Sequence, residues 1–224
     1  MGVAAGSGLA EPISGLADAA TTGLAFEKKS IHAVERDTEE NRRRREEFLA
    51  RIQSIPPERL IFQDESGVTT SMTRLYGRAP RGIRIHETTP GGHWQILTIL
   101  SAMNLRGMLA TMTVPAATDA EIFLAYLDHV LCPKLTPGDV VVLDNLSSHK
   151  VHGVRERIEQ CGAEILYLPP YSPDLNPIEK AWAKLKQHLR TVKSRSNEEL
   201  QNAIAQALPL ITTENAKAWF RLCR

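Results

Sequence analysis

Cysteine is scarce in this chain of 224 residues, and the three present, Cys132, Cys161 and Cys223, are widely spaced. They match neither a zinc-binding pattern nor a disulfide framework, which argues for a reducing, intracellular setting. Long apolar runs are missing as well, so no bilayer-spanning segment and no membrane partner are expected. The opening "MGVAAGSGLAEPISGLADAATTG" is rich in Ala and Gly but has no basic start before an apolar core, so a signal peptide is not expected. There is no internal repeat. Net charge is also nearly absent, at +1 from 27 Lys and Arg against 26 Asp and Glu.

What is there is uneven. Arg42 to Arg45 form a run, Arg74, Arg78, Arg81 and Arg84 recur every three or four residues, and Lys180, Lys184, Lys186, Arg190, Lys193 and Arg195 crowd one late stretch. Local basic patches within a neutral total fit a protein that touches nucleic acid and keeps an acidic site elsewhere, although any one patch could be a solvated face.

Periodicity divides the chain into residues 1–22, irregular; 23–56, a charged arm with a helix from Thr38 to Ile52; 57–192, the folded body; and 193–224, C-terminal helices. A short strand covers Leu60 to Phe62. "HWQILTILSAMN" and "GMLATMTVP" flank "LRG" and read as a hairpin. "TDAEIFLAYLDHVLCPKL" has helical spacing, with Thr118 as N-cap and Glu121 three residues on. "PGDVVVLDN" is a buried strand ending in an aspartate. A helix stopped by Gly162, the strand "AEILYLPP" and a helix over 177–190 follow. This order predicts a mixed α/β domain, antiparallel first and parallel later.

Three acids stand at element ends. Strand alternation puts Asp64 on the face of Leu60 and Phe62 and turns Glu65 the other way. Asp144 ends "VVVLD", where α/β sheets place functional groups. Glu179 opens a helix after the proline-rich "LPPYSPDLNPIEKAW". Each has a structural alternative. Asp64 could start a turn, Asp144 could form an Asx-turn, and Glu179 could complete a cap in which Asn176 is the N-cap and Pro177 the first helical residue. Together, three converging carboxylates would repel unless a cation lay between them, and an all-oxygen set suits Mg²⁺ or Mn²⁺.

"FQDESG", "VVVLDNLSSHK", "LPPYSPDLNPIEKAWAKLK" and the intervening "MTRLYGRAPRG" closely resemble bacterial insertion-sequence transposases of the mariner-type superfamily, in the branch named IS-six-thirty. The resemblance runs from about Gly23 to the C-terminus. It implies a ribonuclease-H-like fold with a mixed sheet flanked by helices. It also implies an Asp, Asp, Glu triad of Asp64, Asp144 and Glu179 binding two Mg²⁺, with Mn²⁺ as a substitute. The 34 residues between Asp144 and Glu179 match that branch. Implied partners are transposon-end DNA, a target DNA cut at a TA dinucleotide, and a second copy in a homodimer or larger synaptic oligomer. The implied location is the bacterial cytoplasm, at the nucleoid. Within those motifs Asn145 and His149 are expected near the metals. The expected DNA contacts are Arg74, Arg78, Arg81, His149, Lys150, Lys184 and Lys186. Tyr171 is expected to pack, with stacking on DNA as the alternative, and Trp94 and Trp182 are expected to be core rather than base-stacking.

Complete members carry two helix-turn-helix modules before this region, for which this sequence has no room. The expectation is a catalytic domain from a truncated, frameshifted or mis-started reading frame, with the missing helices encoded upstream. Three other readings compete: an inert remnant that binds and inhibits full-length transposase, a host nuclease of the same fold, and a phosphatase or receiver domain. The long third motif argues against the nuclease. "DESG" lacks the second strand-end aspartate that the last would need.

Overall fold

The run that begins at "LIF" continues well past Phe62. In the computed structural model, which describes residues 33–223 apart from Pro90 and His93, β1 spans Leu60–Thr69. Gln63, Asp64 and Ser66 are polar and interrupt the apolar signal, yet all three are buried. Their backbone groups are paired along β2 (Ile96–Asn104), from Phe62 opposite Met103 to Thr69 opposite Ile96. A two-residue turn, Leu105–Arg106, leads into β3 (Gly107–Val114), so the expected hairpin is present. Gly107 has φ 121°, and a Cβ there would sit 2.8 Å from the Ile211 carbonyl oxygen, so glycine is required.

β4 (Val140–Leu143) lies parallel to β1, and β5 (Glu164–Tyr167) lies parallel to β4, giving the order β3-β2-β1-β4-β5. Four consecutive apolar residues make β4, and all four are buried. That run is what a central strand covered on both faces needs.

One face carries α1 (Glu39–Gln53), α4 (Ile178–Val192), α5 (Asn197–Ala207) and α6 (Thr213–Leu222), which share a core with Phe62, Ile99 and Val142. α4 buries Ile178, Ala181, Trp182, Leu185 and Leu189, a single stripe at helical period. Phe220 of α6 meets Phe62 edge to face, with ring centroids 5.2 Å apart. The other face packs Ile61, Leu100, Val141 and Leu143 against α2 (Ala120–Tyr126) and α3 (Val154–Gln160). The cap of α2 is Asp119 rather than Thr118. The Asp119 carboxylate accepts from Ile122 N–H at 2.8 Å, which moves the helix start one residue on. Beyond Tyr126 the coil widens into a π turn over Leu127–Leu131. Gly162, at φ 73°, lies just past the end of α3 as expected.

The arm helix α1, capped by Thr38, is fastened to the body. Arg45 reaches Ser172 Oγ at 2.6 Å and pairs with Asp174 at 2.7 Å, and Arg36 adds a contact to the same carboxylate. Residues 70–95 join β1 to β2 without helix or strand among the described residues, and Leu75, Tyr76, Ile83 and Trp94 are exposed there. Trp94 is therefore not a core residue, because the strand it was expected to enter starts only at Ile96. Among the described residues no helix is long and apolar enough to cross a membrane. The irregular segment expected over residues 1–22, and the arm as far as His32, lie outside the described residues.

Candidate active site

The β1–β4 register places two acids side by side. Leu60 pairs with Val140 and Phe62 with Val142. Two residues further, the same offset sets Asp64 level with Asp144, at the end where the parallel pairing stops. Glu179, in the first turn of α4, lines the same cavity of about 400 Å³, with Asn145, Pro169, Tyr171 and Asn176 also on its walls. All three sequence-predicted acids thus line one cavity at the end of the β1–β4 parallel pairing.

Asp64 is buried and faces α4. Its Oδ1 accepts from Glu65 N–H at 2.8 Å, and its Oδ2 accepts from Trp182 Nε1 at 3.1 Å and Asn176 Nδ2 at 3.3 Å. None of these donors carries a charge. Burial dominates, and with the neighbouring Glu179 and Asp144 carboxylates it raises the Asp64 pKa to about 7 against the lowering effect of the hydrogen bonds. Asn176 was expected to cap α4. Its Nδ2 donates to Asp64, its Oδ1 accepts no helix N–H, and Pro177 occupies the cap position without a side-chain bond.

Asp144 is set differently. Its Oδ1 accepts from Leu146 N–H at 2.9 Å, the Asx-turn anticipated from the sequence, and lies 2.6 Å from His149 Nδ1. Desolvation pushes its pKa up. The His149 and Leu146 bonds, with the His149 and Lys150 charges, outweigh this and hold it below the ordinary value. His149 Nε2 lies 3.2 Å from Glu65 Oε1. Burial alone would discharge that imidazole, but the two carboxylates prevail and raise its pKa to about 9. Glu179 is exposed, and no side-chain hydrogen bond to it is present among the described residues. Partial desolvation raises its pKa, while Lys186 and Lys180 oppose the rise.

The expected DNA contacts fall into separate groups. His149 must be withdrawn from that role: it is fully buried, its ring packs 4.2 Å from Phe123, and both nitrogens face carboxylates. Lys184 is half-buried and gives its ammonium to the Leu210 carbonyl at 2.6 Å and Asn215 Oδ1 at 2.5 Å, tying α4 to the start of α6. Arg74 donates to Thr191 Oγ1. Arg78 and Arg81 are exposed in the 70–95 connection, Lys150 is exposed with Nζ 5.6 Å over the Tyr167 ring, and Lys186 is half-buried near Glu179. Tyr171 does not pack as expected. It is half exposed at the cavity rim with φ 54°, a conformation unfavourable for a bulky side chain. Trp182 is core, as expected, and also serves Asp64. Sequence reasoning missed Asn176 and Trp182 as partners of Asp64, and Glu65 as a partner of His149. The only available signal was that Glu65 alternates away from Asp64.

A divalent cation fits this donor set. Among the described residues no three acidic, imidazole or thiol groups close on one point. The cavity wall nevertheless carries Asp64, Asp144 and Glu179 together with Asn176, whose buried Oδ1 has no hydrogen-bond partner. An orphaned buried acceptor beside free carboxylate oxygens suits a hard cation that keeps part of its water shell.

A mixed sheet with paired acids at the end of its parallel strands, open to solvent on one side, defines a ribonuclease-H-like nuclease or transferase core. The family model described as DDE superfamily endonuclease matches residues 59–201, and the chain belongs to that family. It is similar to the Tcb2 transposase of Caenorhabditis briggsae, with 33% identity over 104 residues, 43% of this chain and 38% of that protein's length. Among solved structures, a pre-cleavage Mos1 transpososome superposes with TM-score 0.75 at 16% identity, covering 92% of this chain and 65% of that one. A Mos1 transposase catalytic domain with Mg and Raltegravir gives 0.64 at 17% identity, covering 86% and 92%. At these identities the structural likeness shows the ribonuclease-H-like fold alone.

Proposed function

We propose that this chain is the catalytic domain of a transposase that cuts DNA at transposon ends and joins the freed end to target DNA. Asp64, Asp144 and Glu179 would be the catalytic acids. The observation that carries this reading is their convergence on one open cavity from three separate elements, within a chain of the DDE endonuclease family. The mariner-like motifs and the 34 residues between Asp144 and Glu179 support placement in the IS-six-thirty branch, and with it TA target sites and action as a dimer or larger oligomer. The Mos1 structures with DNA ends and with Mg or Mn support DNA and divalent metal as partners.

Asp64, Asp144 and Glu179 would hold two Mg²⁺ ions, with Mn²⁺ as a substitute, and the unpaired Oδ1 of Asn176, on the same cavity, would be a further oxygen donor. When bound, such ions neutralise charge on the attacking and leaving oxygens of a phosphodiester. The protein's own part is positioning. Trp182 and Asn176 fix the Asp64 carboxylate from the α4 side. Leu146 N–H and His149 fix Asp144. Prolines 169, 170, 173 and 177 restrict the loop that sets where α4, and hence Glu179, begins. Arg78, Arg81, Lys150 and Lys186 remain available for phosphates, a contribution that salt would weaken.

The test is nicking of supercoiled plasmid by the purified chain in Mg²⁺ or Mn²⁺. Asp144→Asn should lower the rate at least ~1000-fold, the order expected when a preorganised charge is removed, while the protein stays folded. Equal nicking by the variant would sink the assignment.

A further inference from the structure

Glu65 has no place in the triad, yet its side chain is mostly buried on the opposite face of β1 from Asp64. There it meets His149, which enters from the short helical turn Ser147–Lys150. The His149 backbone is pinned on both sides, since its N–H donates to the Leu146 carbonyl at 3.1 Å and its carbonyl accepts from Tyr167 Oη at 3.0 Å. Phe123 closes over the ring. The imidazole is thus held at both nitrogens, by Asp144 Oδ1 at 2.6 Å from Nδ1 and by Glu65 Oε1 at 3.2 Å from Nε2, so Glu65 fixes the end of the ring away from Asp144. Fixing the ring aims Nδ1 at Asp144 Oδ1. Both hydrogen bonds to the Asp144 side chain fall on Oδ1, which leaves Oδ2 without one, and Asp144 lines the cavity.

We propose that Glu65 is a positioning residue, acting through His149 to hold the Asp144 carboxylate with one oxygen turned to the reacting phosphate and its metal. Carboxylates that ligate metals are commonly oriented by outer hydrogen bonds, whose loss weakens metal binding by ~10–100-fold. Here the orienting chain crosses the sheet. Strand alternation sends Asp64 to one helix layer and Glu65 to the other, so β1 sets both aspartates, the first directly and the second through Glu65 and His149. The metal part of the proposal rests on the reading of Asp144 given above.

Two variants separate orientation from filling of space. Glu65→Gln keeps an acceptor for Nε2, and Glu65→Leu keeps the volume without one. Mn²⁺ affinity by calorimetry without DNA, and the Asp144 torsion in crystals of each variant, are the readouts. Glu65→Leu is expected to weaken Mn²⁺ binding ~10–100-fold and to lower kcat for nicking with little change in the KM for DNA, with Asp144 rotated; Glu65→Gln should restore most of both. Wild-type Mn²⁺ affinity and an unmoved Asp144 in Glu65→Leu would overturn the proposal. If the wild type itself binds no Mn²⁺, the metal reading fails, and the Asp144 torsion still decides the positioning role. Should Glu65→Leu not fold, Glu65→Ser is measured against the same two outcomes.

Discussion

Asp64 and Asp144 are the same residue type on neighbouring strands, and the molecule treats them in opposite ways. Asp64 faces the α4 layer, is buried, and is held by neutral donors, so its pKa rises to about 7. Asp144 faces solvent and the His149 side, receives a cationic ring, and its pKa falls below the ordinary value. Neutral hydrogen bonds orient a buried carboxylate without fully compensating its charge, whereas a charged partner does both. A site built this way has one acid already ionised and one whose ionisation a cation would complete.

The sharpest test of that contrast is thermal stability without metal. A carboxylate whose folded pKa is raised holds its proton more tightly in the folded state, so folding loses stability as pH climbs from about 4 to about 7. Asp64→Asn should therefore be more stable at pH 8, by on the order of 4 kcal/mol at 1.36 kcal/mol per pKa unit and with a higher Tm, and change little at pH 4. Asp144→Asn should do the reverse. Its folded pKa is lowered, so its contribution is present above the unfolded value and lost as pH falls through the folded one, and the variant should melt lower at pH 8. Both variants shifting the same way at pH 8 would break the comparison.

A smaller effect separates the donors on the α4 side. Trp182→Phe keeps the ring in the core but removes the N–H that lowers the Asp64 pKa. We expect a loss of about 1–2 kcal/mol at pH 8, less at pH 5, and an alkaline shift in the pH profile of nicking. An unchanged profile would mean that Asn176 and Glu65 N–H suffice to hold the carboxylate.

The smallest change concerns the loop that carries Asn176 to Asp64. Tyr171→Gly relieves a positive φ, and urea unfolding should show a gain of up to about 1 kcal/mol. If the exposed ring serves DNA rather than the fold, the KM for DNA rises in the same variant. A loss of stability would show that the ring packs after all.

Much of this was legible early. Four apolar residues before Asp144, the prolines before Glu179 and the helical stripe of α4 each report their own local structure, because burial and backbone restriction are properties of short segments. β1 was read too short because its buried polar residues hide it from a hydrophobicity argument. The Asn176 cap was misread for a related reason: the helix starts one residue later, with Pro177 at the cap, and the Asn176 amide N–H serves a carboxylate 112 positions away, a partner that only the tertiary fold brings near.

The sequence by itself determined the element order and the face each strand residue takes, since alternation and helical period are fixed by backbone geometry. Tertiary structure alone decided that Trp182 and Asn176 hold Asp64, that Glu65 reaches Asp144 through His149, and that His149 is closed to DNA. Those outcomes depend on which distant side chains share a buried space, where an unpaired charge is too costly to leave alone.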